Sequence, residues 1–389
     1  MNNITKKNEF ATFLVYVAMF AIALVVGLVP VRNAISASDM NSGESVAVVI
    51  ISVLAGILAN SLGLELLHLL GAKAGGYQVN SWIVLGAGFK RNAKGKMRWS
   101  FSAFQGLTGQ TDVLPKNRDT ASPSGMVIFP MLGYLIEVIV LLILSNTLSS
   151  VQWLPVFSYV VLAVGGMIFV YNDFPAHLDS FTDGYLLTLL TKPVNRLAYN
   201  DILLAFDANK GDEEKAMASL PIYEDLSDFT SSLNVSAAYR LILEGKNEEA
   251  LAIFEAISSC PKGISATTRQ DATCQALALL LLGEDNAKSQ EFYDNVSDAD
   301  RKFIATITTL PSLRCYALIS AVMENSESET DWAFDKAEKL KKKAEGEELK
   351  AEKALLAKSY DKVMKLHPEW DIQSDFLHDE EEENPTEGK

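Results

Sequence analysis

Two short stretches of the sequence combine histidine and carboxylate side chains beside long apolar runs. The first contains Glu65 and His68, which are three residues apart and would therefore share one face of a helix. The second follows the last apolar run, and its polar and turn-forming residues are Asn172, Asp173, Pro175, His177, Asp179, Asp183 and Gly184. A snorkelling glutamate and an interfacial histidine would explain the first stretch alone. Because histidine and carboxylates are metal ligands, the two stretches together predict a metal site between helices.

Four apolar runs must position these side chains. The predicted transmembrane helices cover residues 10–31, 45–70, 125–148 and 153–171. Each is long enough to cross a hydrocarbon core of about 30 Å. The first run could instead be a secretory signal, but it exceeds the ~7–15 apolar residues of such signals, which favours a retained helix. Glu137 interrupts the third run and is expected to face the helix bundle.

The distribution of basic residues predicts the orientation of these helices. Residues 73–122 carry eight Lys and Arg against two Asp, whereas the loop at 32–45 carries only Arg32 as a basic residue. The positive-inside rule therefore predicts a multi-pass protein of the cell membrane with both termini in the cytoplasm. The three cysteines, Cys260, Cys274 and Cys315, would then lie in a reducing compartment, where free thiols are expected.

Residues 82–104 predict an interfacial β-hairpin around a basic, glycine-containing turn at residues 90–96. Met97, Trp99 and Phe101 alternate with polar residues, which is the period of a half-buried strand. Such a hairpin could pair with an unwound target segment by strand addition. It could equally lie on anionic lipid through its basic residues.

The two halves of the chain differ in charge and in pattern. Residues 1–200 carry 13 Lys and Arg and 10 Asp and Glu, a net charge of +3, whereas residues 201–389 carry 21 and 39, a net of −18. The acidic balance argues against nucleic acid as a partner, because phosphate binding needs a basic face. We predict a membrane domain at 1–200, a cytosolic helical domain at 201–366 and an acidic disordered tail at 367–389.

The helical domain resembles a tetratricopeptide array. Its three degenerate hairpins would turn near Gly245, Gly283 and Asn325. Stacked hairpins form a curved surface that could bind a protein partner, although a purely structural domain is the alternative. The predicted fold class is therefore mostly α, with a polytopic membrane bundle and an interfacial hairpin followed by a soluble helical repeat domain.

The two polar stretches resemble the motifs of the site-2 family of intramembrane zinc metalloproteases. That family carries HExxH, followed on the same helix by an Ala and a Gly, and later Asn-x-x-Pro and Asp-Gly. The matching residues are Glu65, His68, Ala72 and Gly76 for the first motif, and Asn172, Pro175, Asp183 and Gly184, in a longer-spaced form, for the second. The resemblance covers residues 45–190. It implies that His68 and Asp183 ligate Zn²⁺ and that Glu65 is the general base.

The sequence departs from this family at Leu64, which stands where the first histidine of HExxH would be. A catalytic zinc normally has three protein ligands, so one is missing unless His177 or Asp179 replaces it. The prediction is a catalytically impaired pseudoprotease that binds membrane substrates or partners. One alternative is an active zinc protease with a substitute ligand that cuts a single-span membrane substrate. The other is a membrane adaptor of a transport or peptide-export system.

Overall fold

The computed structural model describes residues 9–92, 95–102, 108–148, 150–176, 182–341 and 347–372. Within them the chain is mostly helical, with one small antiparallel sheet. It divides into two compact units, Met1–Leu220 (unit 1) and Pro221–Lys389 (unit 2).

In unit 1 the four strands are consecutive along the chain, with helices before them and after them. Its elements are α1 (Glu9–Ile22), a π-helical segment (Ala23–Leu28), α2 (Val29–Ser36), α3 (Ser42–Ala74), β1 (Tyr77–Val84), β2 (Ala87–Arg91), β3 (Met97–Phe101), β4 (Gly109–Pro115), α4 (Ser124–Thr147), α5 (Trp153–Asp173), α6 (Asp183–Leu189), α7 (Pro193–Ala208) and α8 (Glu213–Ala218).

Four helical stretches of unit 1 are long and apolar enough to cross a membrane. They are Phe10–Ser36, Ser42–Ala74, Ser124–Thr147 and Trp153–Asp173, and they contain almost all of the four predicted spans. Large apolar side chains on their outer faces are exposed, with Leu54 at 64% and Ile136 at 60%. Such faces suit contact with lipid rather than water.

Helix α3 is the central helix of unit 1 and packs against both α4 and α5. It begins at a capping box, in which Asn41 Oδ1 accepts from the Glu44 amide and Glu44 Oε2 accepts from the Asn41 amide. Near its other end Gly71 touches the backbone of Gly125, because a Cβ at Gly71 would lie 2.2 Å from Gly125 O. This contact fixes the last turns of α3, which carry the predicted site, against the start of α4.

The four strands form an antiparallel sheet in the order β3-β2-β1-β4. The predicted hairpin corresponds to β2 and β3, in which Phe89 pairs with Trp99. Trp82 belongs instead to β1, because Leu85 and Gly86, with φ of 49° and 83°, form a two-residue turn between β1 and β2. Leucine is rare at positive φ, so the sequence did not indicate this turn.

Helix α7 attaches to the sheet and extends unit 1 beyond residue 200. The Tyr77 hydroxyl donates to Asn200 Oδ1 at 2.6 Å, and the Asn200 amide donates to the carbonyls of Arg118 and Ala121. Burial raises the pKa of the Tyr77 phenol, which therefore remains a donor. The predicted boundary at residue 200 falls inside α7, whereas the two units divide between Leu220 and Pro221.

Unit 2 is built from helical hairpins. Its helices are α9 (Asp228–Leu243), α10 (Asn247–Ser258), α11 (Ala266–Leu282), α12 (Asn286–Asp294), α13 (Asp298–Thr306), α14 (Leu310–Val322), α15 (Glu327–Lys341) and α16 (Glu347–Leu366). Turns separate α9 from α10, α11 from α12 and α14 from α15 at the three predicted positions. Gly245 and Asn325 adopt positive φ there, which suits glycine and asparagine. Helices α13 and α14 would pass as a membrane span only as a pair bent by 108°.

Helix α16 covers the first helices of the three hairpins. It packs against α9, α11 and α14. Ala351 and Leu355 contribute to one hydrophobic core of the unit, and Leu356 and Val363 to the other. In a stacked array the first helices line the surface that would receive a peptide. Helix α16 packs across these helices, and binding of a protein partner by unit 2 stays a prediction.

The three cysteines of unit 2 are free, and Cys274 and Cys315 are buried. A hydrogen bond with Cys315, together with burial, raises the pKa of the Cys274 thiol. A thiol held protonated in this way is a poor nucleophile.

Candidate functional site

The predicted site residues Glu65, His68 and Asp183 lie together at the end of α3. His68 Nε2 is 2.7 Å from Asp183 Oδ2, and His68 Nδ1 is 3.4 Å from Glu65 Oε2. Glu65 and His68 share a face of α3, whereas Asp183 opens α6, which is 115 residues further along the chain from His68. The imidazole of His68 thus contacts a carboxylate from each of the two polar stretches.

The sheet covers Glu65, which is 2% exposed. Its Oε2 accepts a hydrogen bond from Thr111 Oγ1 at 2.6 Å, and its Oε1 accepts a longer one from Thr108 Oγ1 at 3.4 Å. The Trp82 indole donates to the Glu65 backbone carbonyl at 2.9 Å. The carboxylate of Glu65 is therefore held by the sheet as well as by His68. Each oxygen of Glu65 thus accepts a hydrogen bond from a threonine hydroxyl.

Asp183 is placed by contacts that its neighbours Thr182 and Gly184 make with the end of α5. Thr182 caps α6, because its Oγ1 accepts from the Tyr185 amide at 3.1 Å, and the same hydroxyl lies within hydrogen-bonding distance of the Phe174 and Ala176 carbonyls. Gly184 lies directly on the end of α5, since a Cβ there would be 1.9 Å from Asp173 O. The Asp-Gly pair thus combines a ligand-type side chain with a residue that permits close backbone contact.

We expect Gly184→Ala to destabilise unit 1 by about 1–3 kcal/mol, the usual cost of overpacking. The added methyl would meet the Asp173 carbonyl and push Asp183 away from His68. Thermal unfolding of the detergent-purified protein measures the effect. Gly63→Ala is the matched control, because nothing lies within 4 Å of a Cβ at Gly63. Equal unfolding midpoints for the two variants would contradict this account of Gly184.

The other residues of the second motif are placed differently from Asp183. The Asn172 side-chain amide donates to Ile168 O at 2.9 Å, so it is engaged within its own helix. Pro175 is exposed just after α5. The two candidate substitute ligands, His177 and Asp179, lie outside the described residues.

Asp173 is a neighbour of the site that sequence reasoning did not select. Both of its carboxylate oxygens are buried and have no hydrogen-bond partner among the residues that the structure describes. It lies close enough to Asp183 and His68 to interact with them electrostatically. Asp173 directly follows Asn172 in the sequence, and this could have indicated that it lies near the site. The family motif, however, assigns no role to that position.

Tyr199 of α7 lies behind the site and packs with Val127 and Leu186. Burial, followed by the negative charges of Asp183 and Asp112, raises the pKa of its phenol. The Tyr199 side chain is therefore uncharged at physiological pH.

Among the described residues, the positions that the resemblance implies supply two zinc ligands, His68 and Asp183, whereas a catalytic zinc normally has three. Leu64 is buried one turn before His68 on the same face and offers no ligand atom. His68 Nε2 and Asp183 Oδ2 lie 2.7 Å apart and bond each other directly. Among the described residues no group of three His, Cys, Asp or Glu side chains has the geometry of a metal site.

Comparisons with known proteins give no match. No protein-family model, no curated protein and no solved structure is significantly similar to the chain.

Proposed function

We propose that the chain is a membrane protein with a site-2-protease-like arrangement that binds membrane segments or partners without cutting them. The observation that carries this proposal is Leu64 in the position of a zinc ligand, one turn before His68. The proximity of Glu65, His68 and Asp183 supports the resemblance to that family, and the substitution of one ligand supports the loss of catalysis.

In this proposal the polar residues have a structural role. His68 connects α3 to the loop that places Asp183, and Glu65 connects α3 to β4 through Thr111. Buried polar groups that satisfy one another can specify a unique arrangement of packed elements. The family's catalytic positions would then hold the apolar helices and the sheet in the geometry that a bound membrane segment requires.

We further infer that the protein crosses the cell membrane several times with both termini in the cytoplasm. The four apolar helices and the basic residues of 73–122 support this topology. Unit 2, with its free cysteines, would then be cytosolic. Labelling of single cysteines introduced at the described positions Lys96 and Gln152 by an impermeant reagent in intact cells tests the topology. Only the position in the loop between α4 and α5 should react.

Metal analysis and a cleavage assay test the proposed loss of catalysis. The detergent-purified chain, incubated with zinc and desalted, should retain well below one zinc ion per molecule. The amount should not change in Asp183→Asn. A single-span membrane substrate mixed with the protein should remain uncut, and Glu65→Gln should behave like the wild type. Stoichiometric zinc that is lost in Asp183→Asn would overturn the proposal.

One observation favours a second candidate, an active zinc protease with a substitute ligand. Asp173 offers two buried carboxylate oxygens without a hydrogen-bond partner among the described residues, and it interacts electrostatically with His68 and Asp183. Under this alternative, cleavage would be detected and would disappear in both Asp173→Asn and Glu65→Gln.

A further inference from the structure

A cavity of about 220 Å³ lies between α3, α4 and α5, near the middle of the predicted membrane spans. An apolar cavity of about 150 Å³ accommodates benzene, so this one can hold one compact organic molecule but not a helix. Its walls are mostly apolar, and Leu64 is one of them. The cavity thus adjoins the candidate site but is lined by different functional groups.

Glu137 provides the only carboxyl group among the described residues that line this cavity. It lies near the middle of α4, is half-buried, and none of the residues lining the cavity is basic. Asn60, a neutral amide, also lines the cavity and donates to the Gly56 carbonyl at 3.0 Å. A carboxylate at this depth is costly and is a candidate for binding a cation or a hydrogen-bond donor.

Two aromatic rings form the adjacent wall. Tyr134 and Phe169 both line the cavity, and their rings stack with centroids 4.9 Å apart and planes inclined by 19°. The Tyr134 hydroxyl donates to Leu162 O at 3.2 Å, which fixes the orientation of its ring. Aromatic faces attract organic cations, most strongly when the cation has shed its water.

We propose that this cavity binds a small lipophilic organic cation of the quaternary ammonium class. Glu137 supplies the opposite charge, and the rings of Tyr134 and Phe169 contact the alkyl groups that surround the cationic nitrogen. A quaternary ammonium disperses its charge under alkyl groups and has no N–H to leave unpaired in an apolar site. It therefore reaches the membrane interior at lower cost than a primary ammonium. The proposal does not depend on the proposed function, since no residue of the metal-like site is used for binding.

The absence of a side chain at Gly63 keeps part of the cavity open. This residue lines the cavity, and a Cβ at this position would meet no atom within 4 Å. A leucine side chain at Gly63 can therefore extend into the cavity without first displacing the helix backbone. This gives a way to block the site without touching Glu137.

Equilibrium binding of radiolabelled tetraethylammonium to the full chain in zwitterionic lipid nanodiscs tests the proposal. Saturable binding above that of empty nanodiscs is expected, with displacement by the unlabelled cation and not by its neutral isostere, tetraethylmethane. Glu137→Gln should weaken binding by about tenfold or more, because the charge is lost while the shape is kept. Gly63→Leu should abolish binding.

Val46→Leu is the matched control for Gly63→Leu, because Val46 lies on the same helix with its side chain 58% exposed. It should bind the cation like the wild type, and all variants should unfold at similar temperatures. Equal displacement by tetraethylmethane, unchanged affinity in Glu137→Gln, or no saturable binding would each overturn the proposal.

Discussion

Replacing Leu64 with histidine is expected to raise the zinc affinity of the protein by about 100-fold or more. The new imidazole would stand one turn before His68 on the same face of α3 and supply the third ligand of a catalytic zinc set. Loss of a group that only hydrogen-bonds a metal ligand already lowers metal affinity by about 10–100-fold. Gain of a direct ligand should therefore raise the zinc affinity by at least the upper end of that range. Titration of the purified variant against a competing chelator measures the change.

The matched control for this variant is Leu66→His. Leu66 lies on the same helix but is 46% exposed and points away from His68. It adds an imidazole at nearly the same depth without completing the site. An equal gain in zinc affinity for both variants would mean that the added histidine acts non-specifically. It would contradict the assignment of Leu64 as the missing ligand position.

The sequence predicted the apolar helices and the shared face of Glu65 and His68 from local signals, and the meeting of His68 with Asp183 from the family resemblance. Long uncharged runs have few alternatives to a buried or lipid-facing helix, and a three-residue spacing places Glu65 and His68 on one face. The family motif then indicated which distant carboxylate approaches His68. The structure has four helices long and apolar enough to span a membrane, and it places His68 beside Glu65 and Asp183, whereas the roles of these residues at a metal stay a prediction.

The residues that hold Glu65 could not be predicted in the same way. Thr108 and Thr111 reach the carboxylate because β4 pairs with β1, and Trp82 reaches it because the turn at Leu85 ends β1 where it does. Strand pairing between segments tens of residues apart leaves no local signature. Asp173 was missed for a related reason, since it is packed against Gly184, which belongs to the next helix and lies outside the local pattern of α5.

Helix α16 shows the same limit in unit 2. Its amphipathic pattern predicted a helix with one apolar face, but periodicity does not identify the partner of that face. The structure places it across α9, α11 and α14, where the sequence suggested an open surface for a protein partner. Helix α16 buries the carboxylate of Glu352 in this contact.

Glu352 meets Arg314 of α14 in the interior of unit 2. Arg314 is fully buried and donates from Nε to Glu352 Oε2 at 3.1 Å, and from Nη2 to Gln275 Oε1 and Glu352 Oε1. The Tyr239 hydroxyl also donates to Glu352 Oε1 at 2.9 Å. Burial opposes the charge on Arg314, but the nearby Glu352 carboxylate outweighs it and raises the pKa of the guanidinium.

Arg314→Met is expected to destabilise unit 2 by about 3–5 kcal/mol, because it leaves the Glu352 charge buried without its partner. Hydrogen exchange of α11 and α14 in the full chain, followed by mass spectrometry, reports the local free energy of unfolding. The exposed pair Asp361 and Lys365 on α16 provides the control. Asp361→Asn should cost no more than about 0.5 kcal/mol, the usual value for a solvated helix pair.

The double variant Arg314→Met with Glu352→Leu separates charge burial from packing. If the pair acts mainly by mutual neutralisation, removing both charges should recover most of the stability lost in Arg314→Met, since apolar replacement of a buried pair is often neutral or stabilising. Gln275 and Tyr239 would then still hydrogen-bond each other at 2.7 Å. A double variant as unstable as Arg314→Met alone would show instead that α16 is held by the geometry of the network. In that case the ion pair positions α16 across the three hairpins, and its loss should increase exchange along the whole helix.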